Sequence, residues 1–504
     1  MKQMMSRTAS NIAWMTAGLL ALGPASSLLA DEMVQFGYDR SRNMISDETG
    51  LPVEFDTDGK NVKWSHAVGS QSYAGPVISN GIVLIGTNNE GALNPDVKGD
   101  KGNIMAFDEE TGEFLWQIIH DKLPETKLHD WPLQGICSTP VIEGDTFYYV
   151  SNRAELVAAD MKGFRDGEND GPYKDEKLTG EFAGDILWMV DTMDELDVFP
   201  HNLAVSSPII VGDLIFITTG NGVDEGHIAV PSPLAPSFVA FDKNTGEVVW
   251  ENNMPGERIL HGTWSNPSYA EIKGQGQVIF PGGDGWIYSF KPEDGELLWK
   301  FNGNPEGSVW RLGGSGTKNN IISMGVIHDD KVYIGMGQDP EHGEAPANFW
   351  VIDATKRGDI TKTGVVWERS GEDFNRTIST AAIHNDIVYI TDLSGFLYAL
   401  KADTGEHLWT YDAFAAVWGS PYVADGKVYL GDEDGDIAVL EAGPKLKELA
   451  ENNLGAAVYT TPLAHNGTLY VLARNKLWAF EEGAKPKPAK DEKKDDKADK
   501  KAAD

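Results

Sequence analysis

The chain has a single cysteine, Cys137, so no internal disulfide can form. Its setting, Gly135-Ile-Cys-Ser-Thr-Pro140, reads as the start of a strand, where a small apolar packing role is expected. Basic residues are few: 42 Lys and Arg against 77 Asp and Glu leave a net charge of −35. Such an excess repels phosphate backbones, so nucleic acid is not an expected partner. The charge reads as a solubility feature, with divalent-cation binding as the alternative. Long apolar runs are missing beyond the first thirty residues, so no later segment is read as spanning a bilayer. Helical periodicity is missing too. The apolar runs are short, about four to six residues between Gly, Asn and Asp turns, which describes strands.

What is present begins with an export-type N-terminus. Lys2 and Arg7 precede an apolar stretch from about Ile12 to Leu22, and small residues run to Ala30. A signal peptide over residues 1–30 is expected, and with it a periplasmic or secreted location. A retained anchor is the alternative. No cysteine stands near the cleavage region, which excludes a lipid-modified N-terminus. Residues 31–55 read as a lead-in, residues 56–483 as the folded domain, and residues 484–504 as a disordered charged tail of Lys, Asp, Ala, Glu and Pro.

Fifty-five glycines and 15 tryptophans fall into repeats. Ala106-Phe-Asp-Glu-Glu-Thr-Gly-Glu-Phe-Leu-Trp116 recurs as Ala240-Phe-Asp-Lys-Asn-Thr-Gly-Glu-Val-Val-Trp250. Looser copies end at Trp299 and Trp409, others with insertions at Trp188 and Trp367, and Trp64 ends an isolated last strand. A second unit, often Ser/Thr-x-Pro before an apolar strand, a turn and another strand, occurs near Pro76, Pro140, Pro208, Pro267, Gly325, Ala381, Pro421 and Pro462. Eight such units without helical crossovers predict an all-β, eight-bladed β-propeller of four-stranded antiparallel blades. The last repeat stops after three strands, so the N-terminal strand ending at Trp64 is expected to join it and close the ring. Each tryptophan is expected to pack on the neighbouring blade and each Thr-Gly glycine to supply a positive φ.

The Ala-x-Asp-x-x-Thr-Gly-x-x-x-Trp unit resembles the tryptophan-docking repeat of the pyrroloquinoline quinone dehydrogenases. The same repeat builds outer-membrane assembly scaffolds of the BamB type. The resemblance covers roughly residues 60 to 482, and the overall arrangement looks most like exported quinone-binding-like propellers, for which the resemblance implies no activity. For the dehydrogenases it implies quinone held with Ca²⁺ by a Glu, an Asn and an Asp that doubles as base, plus an Arg or Lys on the quinone carbonyls. Val150-Ser-Asn-Arg-Ala-Glu155 resembles the segment with the Glu, and Thr219-Gly-Asn-Gly222 the one with the Asn, so Glu155 and Asn221 stand as metal candidates. At the base position stands Ser265, and at the basic position Gly283. Ser265 cannot carry charge or take a proton well, and Gly283 has no side chain. The adjacent cysteine pair is also missing.

In a propeller the loops entering the inner strands and those between second and third strands open on one face. These loops are dense in polar and aromatic residues. They include His129, Asp130 and Trp131; Arg153 and Glu155; His201 and Asn202; and Asn221, Asp224, Glu225 and His227. Further along come His261 and Trp264; Trp310 and Arg311; Asp339, Glu341 and His342; Arg376; and Trp418. Such a rim reads as a ligand site or as a solvated surface with turn-stabilising Asp and Asn. His201, His227, His261 and His342 could converge on a transition metal, although no short ligand spacing marks one. Gly431-Asp-Glu-Asp-Gly-Asp436 resembles a fragment of a Ca²⁺ loop, but it aligns with blade turns at Gly282 and Asp392 and lacks a distal Glu. The expected function is an exported binding module or scaffold for a protein or small ligand, expected to be monomeric. The alternative is an oxidoreductase that uses pyrroloquinoline quinone and Ca²⁺ in a rearranged site.

Overall fold

The inner, middle and outer strands of each repeat alternate apolar residues with short polar turns, and they pair in sequence order. The computed structural model describes residues 33–91, 97–124, 126–311 and 313–485; the expected signal peptide and residues 486–504 of the tail lie outside them. Blade 1 is Val77–Ser79, Ile82–Asn88, Lys101–Asp108 and Phe114–Asp121, each strand hydrogen-bonded antiparallel to the next. The same meander gives blades starting at Val141–Glu143, Ile209–Val211, Ser268–Ile272, Val326–His328, Ala382–His384 and Tyr422–Ala424. The eighth blade takes Leu463–His465, Thr468–Ala473 and Lys476–Glu481 from the end of the domain. Its fourth strand, Val62–Ala67, comes from the beginning. The protein is therefore an eight-bladed propeller with the seam at Trp64. Among the described residues no helix is long and apolar enough to cross a membrane.

The tryptophans and glycines form one repeated joint. Trp64 donates its indole N–H to the Glu109 carbonyl at 2.8 Å, Trp250 to Pro292 at 2.7 Å and Trp367 to Ala402 at 2.9 Å, each on the next blade. The turn glycines Gly112, Gly246, Gly295 and Gly405 have φ of +69 to +75°. A Cβ on Gly112 would lie 2.5 Å from the Trp64 ring, and one on Gly405 would lie 2.6 Å from the Trp367 ring. Glycine thus serves two needs there, the left-handed turn and the space for the neighbour's indole. Trp299 departs from the joint. It donates to Gln277 in its own blade at 2.7 Å, and its strand gains a short parallel neighbour, Gly358–Asp359.

The two faces differ. On one, first and second strands meet in tight turns with left-handed residues such as Asn80-Gly81, Asn385-Asp386 and Asn466-Gly467, the geometry that matches strand twist. The segment 33–55 lies across this face. Met33–Val34 pairs with the inner strand of blade 2. Ser41 accepts from Ile327 N–H, and Ser46 N–H donates to Val423. At its centre the fully buried Arg42 donates to the carbonyls of Phe36, Ser207, Pro208 and Pro267 at 2.6–3.1 Å. The segment closes the central channel from below. The opposite face carries the longer loops and the cavity.

Candidate functional site

The cavity takes its shape from the repeat. The residue three positions before the inner-strand proline, or its equivalent, faces the axis in every blade. Tyr73, Cys137, Val205, Trp264, Ile322, Ile378, Trp418 and Tyr459 all line a cavity of about 500 Å³. That position could have been read from the sequence, because it has a constant offset from Pro76, Pro140 and their counterparts. Phe36 and Met324 also line the cavity. Aromatic residues gather on one side: Tyr73 stacks on Tyr459 at 5.2 Å, and Trp418 meets Tyr459 edge-on at 5.9 Å. The Trp418 indole N–H is buried inside the wall and makes no hydrogen bond. Burial pushes the Cys137 thiol up to about 12, which removes thiolate character.

One flank of the cavity is polar and belongs to blades 3, 4 and 5. Backbone bonds bind these loops together: His201 N–H to Gly220, Gly222 N–H to Phe199, Val223 N–H to His261 and Thr263 N–H to Asn221, at 2.8–3.2 Å. Gly222 permits the approach, since a Cβ there would lie 2.5 Å from the His201 Cβ. Four imidazoles meet as a result. His261 is 4.5 Å from His201, 4.4 Å from His227 and 4.4 Å from His342, centroid to centroid. His227 Nδ1 is 3.1 Å from His342 Nε2. His201 Nδ1 is 2.7 Å from the Val223 carbonyl, which leaves Nε2 for the cluster. Asp339 Oδ1 stands 3.4 Å from His261 Nδ1, and Glu341 Oε2 stands 3.6 Å from His261 Nε2.

Electrostatics keep protons off part of this group. Burial, then the His261 neighbour, brings His201 down to about 3 and His342 down to about 4, and lowers His227 for the same reasons. Burial works against the Asp339 charge, but His261 and the Glu341 N–H outweigh it and hold the carboxyl below its ordinary range. Burial raises Glu341.

Of the rim residues singled out in the sequence, Trp131, Asn202, His261, Trp264 and Trp418 line the cavity, together with Asp339 and Glu341. His201, His227 and His342 join His261 behind that wall. Trp264 donates to the His201 and Leu203 carbonyls at 3.1 Å and so braces the cluster. Arg376 donates to the Gly343 carbonyl at 2.5 Å and steadies the loop carrying His342. Arg311 and Glu225 are exposed on the rim. Asp432 accepts from the Asp434 and Asp436 N–H groups at 3.0 Å, as Asp392 does from Phe396 at 3.1 Å, so the Gly431–Asp436 motif forms a blade turn.

Glu155 and Asn221 stand elsewhere. Glu155 lines a separate cleft between blades 1 and 2 with His120, Arg153 and Tyr173. It accepts from Ser151 at 2.7 Å and from Arg153 Nε at 2.9 Å, and His120 Nδ1 lies at 2.9 Å. Burial pushes its carboxyl up, yet these partners outweigh that effect and hold it down to about 2. Asn221 accepts from Phe199 N–H and donates to the Ser232 carbonyl, both at 3.0 Å. Ser265 donates to the Ser323 carbonyl at 2.5 Å. A Cβ on Gly283 would lie 2.5 Å from the Gly262 oxygen, so no longer side chain fits there. These four positions brace loops and blades, and as a donor set they do not fit a quinone with its Ca²⁺.

A closed ring of eight four-stranded blades, most of them joined by a docked tryptophan, with an axial cavity on the long-loop face defines a propeller of the pyrroloquinoline quinone-type repeat. The chain belongs to the family described as outer membrane protein assembly factor BamB, which matches residues 23–169, 179–338 and 352–446. The BamB of Yersinia pestis is 22% identical over 341 residues, 66% of this chain and 68% of that protein. The BamB of Moranella endobia (strain PCIT) is 20% identical over 420 residues, 82% of this chain and 87% of that protein. Among solved structures, BamB from Moraxella catarrhalis shares the fold with a TM-score of 0.53 at 15% identity, covering 84% of this chain and 98% of that one. The quinohemoprotein alcohol dehydrogenase of Comamonas testosteroni shares it with a TM-score of 0.59 at 13% identity, covering 90% and 81%.

Proposed function

We propose that this chain is an exported binding propeller, a scaffold that holds a protein partner on its long-loop face with the axial cavity taking an apolar side chain. The observation that carries this reading is the placement of exposed apolar side chains. Six of the fourteen exposed large apolar side chains among the described residues, Trp131, Leu133, Ile228, Leu234, Val309 and Phe414, stand on loops of that face, while the others are scattered over outer strands, their turns and the 33–55 segment. Exposed apolar groups around an aromatic pocket are the anatomy of a docking surface. The charge of −35 favours a partner with basic residues beside its apolar anchor. Family membership alongside outer membrane assembly factors and the export-type N-terminus support action outside the cytoplasm.

A photo-crosslinking amino acid placed at Trp131 or Phe414, and at Asn80 or Asn385 on the opposite face, tests the reading in cells. Discrete adducts are expected from the first pair only, and Trp418→Ala should weaken them. Equal adducts from both faces, or none from the cavity face, would remove the support. Reconstitution with quinone and Ca²⁺ is expected to give no dye reduction, because Glu155, Asn221, Ser265 and Gly283 do not form that clamp.

A further inference from the structure

We propose that His201, His227, His261 and His342, with Asp339, form a binding site for one divalent transition-metal ion of the imidazole-preferring kind, zinc or copper, in the cavity wall. The site does not depend on the docking reading, since an ion can bind there with no partner present.

The ligand atoms of His201, His227 and His261 lie within 4.8 Å of one another, and so do those of His261, Asp339 and His342. His261 is common to both groups, and the 3.1 Å contact of His227 with His342 joins them. Two nitrogens on one tetrahedral ion at about 2.0–2.1 Å each are about 3.4 Å apart. Closing the widest gaps, at most 4.8 Å, therefore takes up to about 1.4 Å, within reach of side-chain rotation. The 3.1 and 3.4 Å separations already suit adjacent ligands.

Three further observations point to an ion rather than a packed core. His261 is fully buried, yet neither ring nitrogen closes a hydrogen bond. Its nitrogens face only Asp339 at 3.4 Å and Glu341 at 3.6 Å, and an ion between them would satisfy the ring more fully. The Val223 carbonyl fixes the His201 tautomer by its 2.7 Å contact with Nδ1 and directs Nε2 inward, as outer partners of metal-bound histidines do. Gly314 faces His227 and His342. A Cβ there would lie 2.6 Å from His227 Nδ1 and 3.0 Å from His342 Nε2, so glycine keeps open the space an ion would occupy. The donor set is nitrogen-rich, which disfavours Ca²⁺ and Mg²⁺ and favours zinc or copper. Glu341, at the edge, borders the cavity, so a bound ion would sit beside whatever enters there.

The full chain, stripped by a chelator, is titrated with Zn²⁺, with Cu²⁺, and with Ca²⁺ as the hard-ion control. About one Zn²⁺ or Cu²⁺ per chain should survive desalting, and Ca²⁺ should not. The Cu²⁺ form should show nitrogen hyperfine splitting from several imidazoles. His227→Ala and His342→Ala, both in half-buried loops, should each weaken binding on the order of 100-fold, with metal-free melting unchanged. Gly314→Ala should also weaken binding with every imidazole present, at some cost in metal-free melting because φ there is +70°. Wild-type binding far below one equivalent, or unchanged binding in the His227→Ala/His342→Ala double variant, overturns the proposal.

Discussion

At the scale of single residues, each turn glycine and its neighbour's indole are two halves of one fitting. At the ring seam the pair is Gly112 and Trp64. Gly112→Ala forces a Cβ to 2.5 Å from the Trp64 ring at a left-handed φ. A cost on the order of 2–4 kcal/mol is expected, read as a lower urea midpoint. With Trp64 also changed to Ala, the two costs should sum to less than their separate values, because the clash has gone. A different residue sets a response to acid. The Glu155 carboxyl is held down to about 2, against an ordinary 4.5, so its stabilising effect is complete above pH 4.5 and is lost as pH falls toward 2. Glu155→Gln should be less stable than wild type at neutral pH by at most about 3 kcal/mol. The gap should close on acidification, as followed by denaturant titrations across that window.

At the scale of elements, the segment 33–55 acts as a cross-brace. It touches the inner strands of blades 2, 4, 5, 6 and 7, and one guanidinium anchors its centre. Arg42→Met should leave four buried carbonyls short of a donor, at about 1–3 kcal/mol each. The expected result is a large drop in unfolding midpoint, together with easier proteolysis of residues 33–55. This brace was not legible in the sequence, because it belongs to no repeat and its partners are backbone carbonyls. The blades were legible, because strand, Thr-Gly turn and tryptophan recur at fixed offsets from Ala106 to Trp409. The histidine cluster was legible only as a set of residues. His201, His227, His261 and His342 share no spacing, and they meet because three blades fan around one axis. Asn221 shows the opposite difficulty: its local motif matched the dehydrogenase pattern, while its side chain is spent on Phe199 and Ser232.

At the scale of the whole molecule, closure depends on a strand from the far end of the chain. Val62–Ala67 is made near the beginning of synthesis, and its partner Lys476–Glu481 near the end. For nearly the whole of translation the first strand lacks its hydrogen-bonded ladder partner, and Trp64 lacks the blade it completes although blade 1, on which it docks, follows at once. The ring therefore cannot close gradually; it closes when the last hairpin arrives. Chains truncated before Lys476 should show exposed apolar surface by dye binding and should aggregate, while chains ending just after Glu481 should fold. A nascent protein of this design needs protection over its full length, and a single early stop leaves a product with two open edges instead of a shorter functional ring.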